Sequence, residues 1–187
     1  MTTEYEIKFP KININEIKKK LENLEATLVM DKFLYKRYIC DISNNSFMRL
    51  RTTPNGASLT IKEFTHSDKD HMKEQEMFIN DFDEGKMFMD YFIKHDLIPD
   101  NHPRYQENYR TMYKLKDCEF CIDEWPLLEP FLELEAANET ILKKYSEILG
   151  LEWKNGLFGS VNVFAKKLYN TDLAKYKILT FAKQIKC

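Results

Sequence analysis

The segment Thr2-Thr3-Glu4-Tyr5-Glu6-Ile7-Lys8-Phe9 alternates strictly and is stopped by Pro10, the pattern of a first β-strand. Residues two apart in a strand share a face. Glu4, Glu6 and Lys8 therefore point one way, and Tyr5, Ile7 and Phe9 the other. The same segregation recurs along the chain. Arg49 and Arg51 share a face opposite Met48 and Leu50, and Lys62 joins Ser58 and Thr60 opposite Leu59 and Ile61. Glu74 and Glu76 alternate with Gln75 and Met77, Glu133 and Glu135 oppose Leu132 and Leu134, and Asp123 stands opposite Ile122.

For any one strand, a solvated polar face is the ordinary explanation. Two features argue against it here. Charges occur as like-signed pairs on one face (Glu4 with Glu6, Arg49 with Arg51, Glu133 with Glu135), whereas a face shaped for stability would mix signs. The helical segments also carry apolar stripes, and covering the apolar side of a curved sheet with them leaves the charged side facing inward. A closed or nearly closed barrel of about eight strands encloses a lumen. Charge lining it would be costly if dry and unpaired, and favourable around a polyanion with divalent cations. The acidic set would be Glu4, Glu6, Asp123, Glu133 and Glu135; the basic set would be Lys8, Arg49, Arg51, Lys62 and Arg110. Carboxylates suit Mg²⁺ or Mn²⁺, while arginine forks and lysine point charges suit phosphate oxygens.

The remaining elements fit an α+β class with a largely antiparallel sheet. Asn13 caps a helix carrying Ile14, Ile17, Leu21, Leu24 and Leu28. Strands are expected at Tyr35 to Ile42, Phe47 to Thr52, Ala57 to Phe64 after the Pro54-Asn55-Gly56 turn, and Lys73 to Asn80. A helix follows over Asp83 to Leu97, then a hairpin of Arg104 to Leu115 and Glu119 to Asp123, and a strand at Phe131 to Ala136. Asn138 to Leu149, Ser160 to Tyr169 and Asp172 to Ile185 read as helices. Hydrophobic residues make up 43% and charged residues 31%, with a formal net charge of -2, which describes a globular chain without a basic nucleic-acid surface. Neither a secretory signal nor a stretch of ~20 apolar residues is present, so a cytoplasmic, membrane-free protein is expected. Cys118 and Cys121 form a C-x-x-C without a second ligand pair and read as ordinary reduced thiols pointing to opposite faces. His66, His71, His95 and His102 read as surface residues.

Glu4-Tyr5-Glu6-Ile7-Lys8 resembles the E-x-E-x-K signature of the CYTH domain, the triphosphate tunnel metalloenzyme family. The other family elements follow in order: Arg49 and Arg51, Leu59-Thr60-Ile61-Lys62, Lys73-Glu74-Gln75-Glu76, Glu107-Asn108-Tyr109-Arg110, Ile122-Asp123-Glu124-Trp125-Pro126 and Phe131-Leu132-Glu133-Leu134-Glu135. The resemblance covers Glu4 to about Ala136. It implies an eight-stranded antiparallel tunnel barrel with a charged lumen and helices packed outside. It also implies a single domain over residues 1–187, including the expected C-terminal helices from about 138. Glu4, Glu6, Asp123, Glu133 and Glu135 resemble metal ligands for Mg²⁺ or Mn²⁺. Lys8, Arg49, Arg51, Lys62 and Arg110 are similar to the family's catalytic, phosphate-binding set, with Glu74 and Glu76 at the substrate positioning basic residues or a second metal. Tyr38 lies near a tyrosine of the thiamine triphosphatases but out of register, and Lys166 and Lys167 align with no family element.

The activity implied is metal-dependent hydrolysis of inorganic triphosphate, a nucleoside triphosphate or thiamine triphosphate. The alternatives are cyclisation of ATP to cAMP and pyrophosphate, and a non-catalytic triphosphate- or polyphosphate-binding module. The expected partner is a small-molecule triphosphate, not nucleic acid or a membrane; a homodimer is allowed for.

Overall fold

A computed structural model describes residues 5–64, 72–99 and 102–187, and in it the alternating segments become strands. The elements are β1 (Tyr5–Phe9), α1 (Ile14–Asn23), β2 (Thr27–Ser43), β3 (Ser46–Thr53), β4 (Gly56–Phe64) and β5 (Met72–Ile79). They continue with α2 (Phe82–Lys94), β6 (Arg104–Leu115), β7 (Cys118–Glu124), β8 (Phe131–Ala136), α3 (Glu139–Ile148), α4 (Val161–Tyr169), β9 (Tyr176–Leu179) and β10 (Gln184–Lys186). The class is α+β, as the alternation implies. The hydrogen-bonded order is β1-β8-β7-β6-β2-β3-β4-β5. Among the described residues β1 and β5 end this path without pairing to each other, so the sheet is not closed into the expected barrel.

The chain divides into two compact units. In the first, Met1–Phe33 with Asn108–Leu173, the apolar faces of β1, β7 and β8 supply Ile7, Phe9, Phe120, Ile122, Leu132 and Leu134 to a buried core. Helices α1 and α3 cover it with Ile17, Leu21, Leu142 and Tyr145. Asn13 and Asn138 cap these helices, accepting hydrogen bonds from the Glu16 and Ile141 backbone N–H groups. In the second unit, Leu34–Glu107 with Ala174–Cys187, α2 lays Phe82 and Met89 against Tyr38, Cys40, Leu50 and Ala57. Three helices thus sit on apolar faces, as expected. The fourth does not: Phe164 of α4 stacks 4.7 Å from Phe131, which shares the β8 face of Glu133 and Glu135.

Two sequence expectations need correction. Asp172 to Ile185 is not helical; after a short 3-10 turn it forms β9 and β10, and β9 pairs in parallel with β6 through Tyr105 and Gln106. The first helix stops at Asn23 rather than running to Leu28, because Glu25 takes a positive φ of 57° and β2 begins at Thr27. Beyond α3, Leu157 makes a backbone bridge to Lys8, and Gly156 allows that approach: a Cβ there would lie 2.3 Å from Ile7 Cδ1.

Candidate functional site

In the first unit the register places the charged residues in rows. Lys8 pairs with Glu133 and Glu6 with Glu135 across β1 and β8, while Arg110 pairs with Asp123 across β6 and β7. All six lie on the face turned away from the α1 and α3 core. Lys8 is buried, and its Nζ contacts Glu6 Oε1 at 2.8 Å and Glu133 Oε2 at 3.0 Å and donates to the Gly159 carbonyl at 2.9 Å. Arg110 forks onto Asp123, Nε to Oδ1 at 2.8 Å and Nη2 to Oδ2 at 2.6 Å, and Nη2 also reaches Glu133 Oε1 at 2.9 Å. Asn108, fully buried, donates to Asp123 Oδ1 at 2.9 Å. Glu6, Lys8, Glu133, Arg110, Asp123 and Asn108 therefore form one continuous polar chain.

The electrostatics follow from that chain. Burial alone would raise the Glu133 pKa, but Arg110 and Lys8 outweigh it and hold the carboxyl well below the usual carboxylate range. Burial likewise opposes charge on Lys8 and Arg110, and their carboxylate partners overcome it, raising both pKa values. The thiols behave oppositely. Burial pushes Cys118 up to about 12 and Cys121 well above its ordinary value, so neither is a thiolate nucleophile near neutral pH. All four cysteines are free, and Cys118 and Cys121 point to opposite faces of β7, as the alternation predicts.

The second unit carries the rest of the basic set. Arg51 pairs with Arg37 and Ser58, Arg49 with Ile39 and Thr60, and Lys62 with Phe47 and Glu74. These side chains share the face opposite the α2 core. Lys62 Nζ is 2.8 Å from Glu74 Oε2, and Thr60 Oγ1 donates to Glu76 Oε1 at 3.3 Å. Glu74 thus positions Lys62, and Glu76 lies in the Arg49 row. Tyr38 is on the other side, its hydroxyl bonded to Asp90, so the tyrosine on the charged face is Tyr35.

The structure brings together Glu6, Lys8, Arg110, Asp123, Glu133 and Glu135 in one unit, and Arg49, Arg51, Lys62, Glu74 and Glu76 in the other. Glu4, His66 and His71 lie outside the described residues. Sequence reasoning put Ser58 on the Lys62 face without giving it a role, and it missed Arg37 and Asn108. Alternation from Tyr35 and from Arg110 would have placed these two on their charged faces.

The donor chemistry fits Mg²⁺ or Mn²⁺, since every carboxylate offers hard oxygen. Glu133 and Asp123 are already committed to Lys8, Arg110 and Asn108. Among the described residues no three acidic, histidine or cysteine side chains stand close enough to form a complete site. Of the other carboxylates on this face, Glu6 is 44% exposed and meets Lys8, and Glu135 is its cross-strand partner.

No family model matches the chain, and no curated protein matches its sequence. Solved structures do share its fold. A protein of Pyrococcus horikoshii is 21% identical with a TM-score of 0.62, covering 82% of this chain and 94% of its own. A protein of Vibrio parahaemolyticus whose name suggests an adenylate cyclase is 13% identical with a TM-score of 0.64, covering 91% and 99%. A Hippeastrum protein named for a suggested adenylyl cyclase, with a dominant triphosphatase activity, is 14% identical with a TM-score of 0.60, covering 90% and 95%. At these identities the likeness is one of fold, and it agrees with the CYTH resemblance. Among the described residues no helix is long and apolar enough to cross a membrane.

Proposed function

We propose that the chain is a metal-dependent triphosphatase that releases phosphate from inorganic triphosphate, a nucleoside triphosphate or thiamine triphosphate. The observation that carries this reading is the unbroken polar chain from Glu6 through Lys8, Glu133 and Arg110 to Asp123, on the sheet face turned away from the α1 and α3 core. Phosphoryl transfer depends on positioning and charge neutralisation more than on a covalent nucleophile. Arg49 and Arg51 present forked donors to phosphoryl oxygens, and Lys62, held by Glu74, adds a point charge. Lys8 and Arg110 keep Glu133 ionised, and Arg110 holds both Glu133 and Asp123 in fixed orientation. Glu6 and Glu135, with Glu4 of the same motif, would hold Mg²⁺ or Mn²⁺, which would neutralise phosphoryl charge and acidify the attacking water. The free thiols favour a cytoplasmic setting.

Cyclisation of ATP is the second reading, favoured by the names of two of the compared proteins. It uses the same phosphate contacts with a ribose 3′ oxygen as nucleophile. The third reading, a binding module without turnover, is tested by Glu6→Gln. In an enzyme this variant raises the metal concentration for half-maximal turnover by about tenfold, the value of one charge-assisted contact, and leaves triphosphate affinity in chelator little changed. Triphosphate binding without turnover in both wild type and variant would leave the binding module instead.

A further inference from the structure

We infer that the outer face of α2 is the contact surface of a homodimer, in which the helix packs antiparallel on the α2 of a second copy of this chain. The inference stands apart from the triphosphate reading. Helix α2 buries Phe82, Gly85 and Met89 against its own unit. Met87, Phe88, Tyr91 and Phe92 fall at three- and four-residue spacing on the opposite side, and they are 63%, 60%, 56% and 38% exposed. Among the described residues no other element exposes more than two large apolar side chains.

A surface helix keeps charge on its outer side, whereas a helix apolar on both sides is a buried one. The unit that α2 covers supplies only one of the two surfaces such a helix needs. The outer strip is also continuous. The Tyr91 ring lies edge-on to Phe92, with centroids 6.3 Å apart, and against the His95 ring at 4.3 Å. Asp96, at a φ of 55°, ends the helix, and the Leu97 N–H donates back to the Phe92 carbonyl at 2.9 Å. That turn carries Leu97, itself exposed, to the Phe92 end of the strip.

Area and charge both select a second copy as the occupant. Met87, Phe88, Tyr91, Phe92 and Leu97 together leave on the order of 500 Å² of apolar surface in water. Two such strips face to face bury roughly 1,000 Å², enough for a specific interface. Glu84 continues the strip into the acidic first turn, while Lys94 and His95 stand at its other end. A helix of that polarity complements itself when reversed. A two-fold axis between Met89 and Asp90 opposes Phe88 to Tyr91, Met87 to Phe92 and Glu84 to His95 of the copy. Every contact is then made twice, and the two helix dipoles run head to tail. Arg49, Arg51 and Lys62 lie on the other face of the sheet, so the contact does not involve them.

Sedimentation equilibrium on wild type and variants tests the contact, with circular dichroism to confirm folding. Wild type is expected as a dimer at micromolar chain concentrations. Phe88→Glu puts a carboxylate into each half of the strip and should raise the dissociation constant roughly 30-fold or more, as loss of an interface anchor does. Because position 88 faces position 91, combining Phe88→Glu with Tyr91→Lys in one chain should bring the constant back toward the wild-type value. Ile148→Glu, at an exposed apolar position on α3, should leave it unchanged. Met87→Glu carries the comparison should Phe88→Glu not fold. A monomeric wild type overturns the inference, and so does a dimer indifferent to both Phe88→Glu and Met87→Glu. Co-sedimentation of a monomeric wild type with phosphatidylcholine vesicles would give the strip to a lipid surface instead. Loss of the dimer in Phe88→Glu with no recovery in the double variant overturns the antiparallel pairing.

Discussion

Replacing Glu133 with alanine is expected to lower the unfolding free energy by about 3 kcal/mol, the low end for removing one partner of a buried ion pair. In a chain of this length that corresponds to a fall in Tm of roughly 6–12 °C, measured by calorimetry. The size follows from what Glu133 touches. It is buried and receives both Lys8, at 3.0 Å, and Arg110, at 2.9 Å. The loss stays at the low end because Lys8 retains Glu6 and the Gly159 carbonyl, while Arg110 retains Asp123. Glu6→Ala, at a 44% exposed side chain, should cost about 1 kcal/mol or less.

The same carboxylate shapes the acid limb of the stability profile. Its folded pKa lies below its unfolded value, so its contribution is fully present above about pH 4.3 and is lost as pH falls toward the folded pKa. Between neutral pH and about pH 4.3 the deficit of Glu133→Ala should be constant, and below that it should shrink. A deficit that stays constant through the acid range would mean that Glu133 titrates alike in both states, against the network described.

Arg110→Ala should reduce turnover of the preferred triphosphate by about 10²- to 10³-fold, the range for removing one preorganised electrostatic group. Arg110→Lys should not restore it, because the Nε and Nη2 fork onto Asp123 requires a planar guanidinium. Steady-state kinetics well below the unfolding transition of each variant gives the comparison. Full activity in Arg110→Lys would reduce Arg110 to a point charge and remove the geometric argument for its role.

Strand alternation made the charged faces legible before any coordinates. It put Glu6 and Lys8 on one side of β1, Glu133 and Glu135 on one side of β8, and Arg49 with Arg51 on one side of β3, where the structure has them. Pairing partners are set by register, which one strand's sequence does not specify. Nothing in Glu133 or Arg110 alone indicated that they would meet. Arg37 stands two residues from Tyr35, and its register opposite Arg51 puts it on the charged face. Closure was inferred from charge, but it depends on edge pairing, and β1 and β5 do not pair among the described residues. Tyr176 to Leu179 was misread as helix because short apolar runs fit either period, and pairing with β6 and β10 decided for strand.

The central claim is that these charged faces bind and hydrolyse a triphosphate. Phosphorus NMR of the products tests it most directly, with inorganic triphosphate, ATP and thiamine triphosphate offered separately in Mg²⁺ or Mn²⁺. The account predicts orthophosphate release, fastest on one substrate and abolished by chelation. Cyclic AMP with pyrophosphate from ATP, or no product from any of the three, would contradict it.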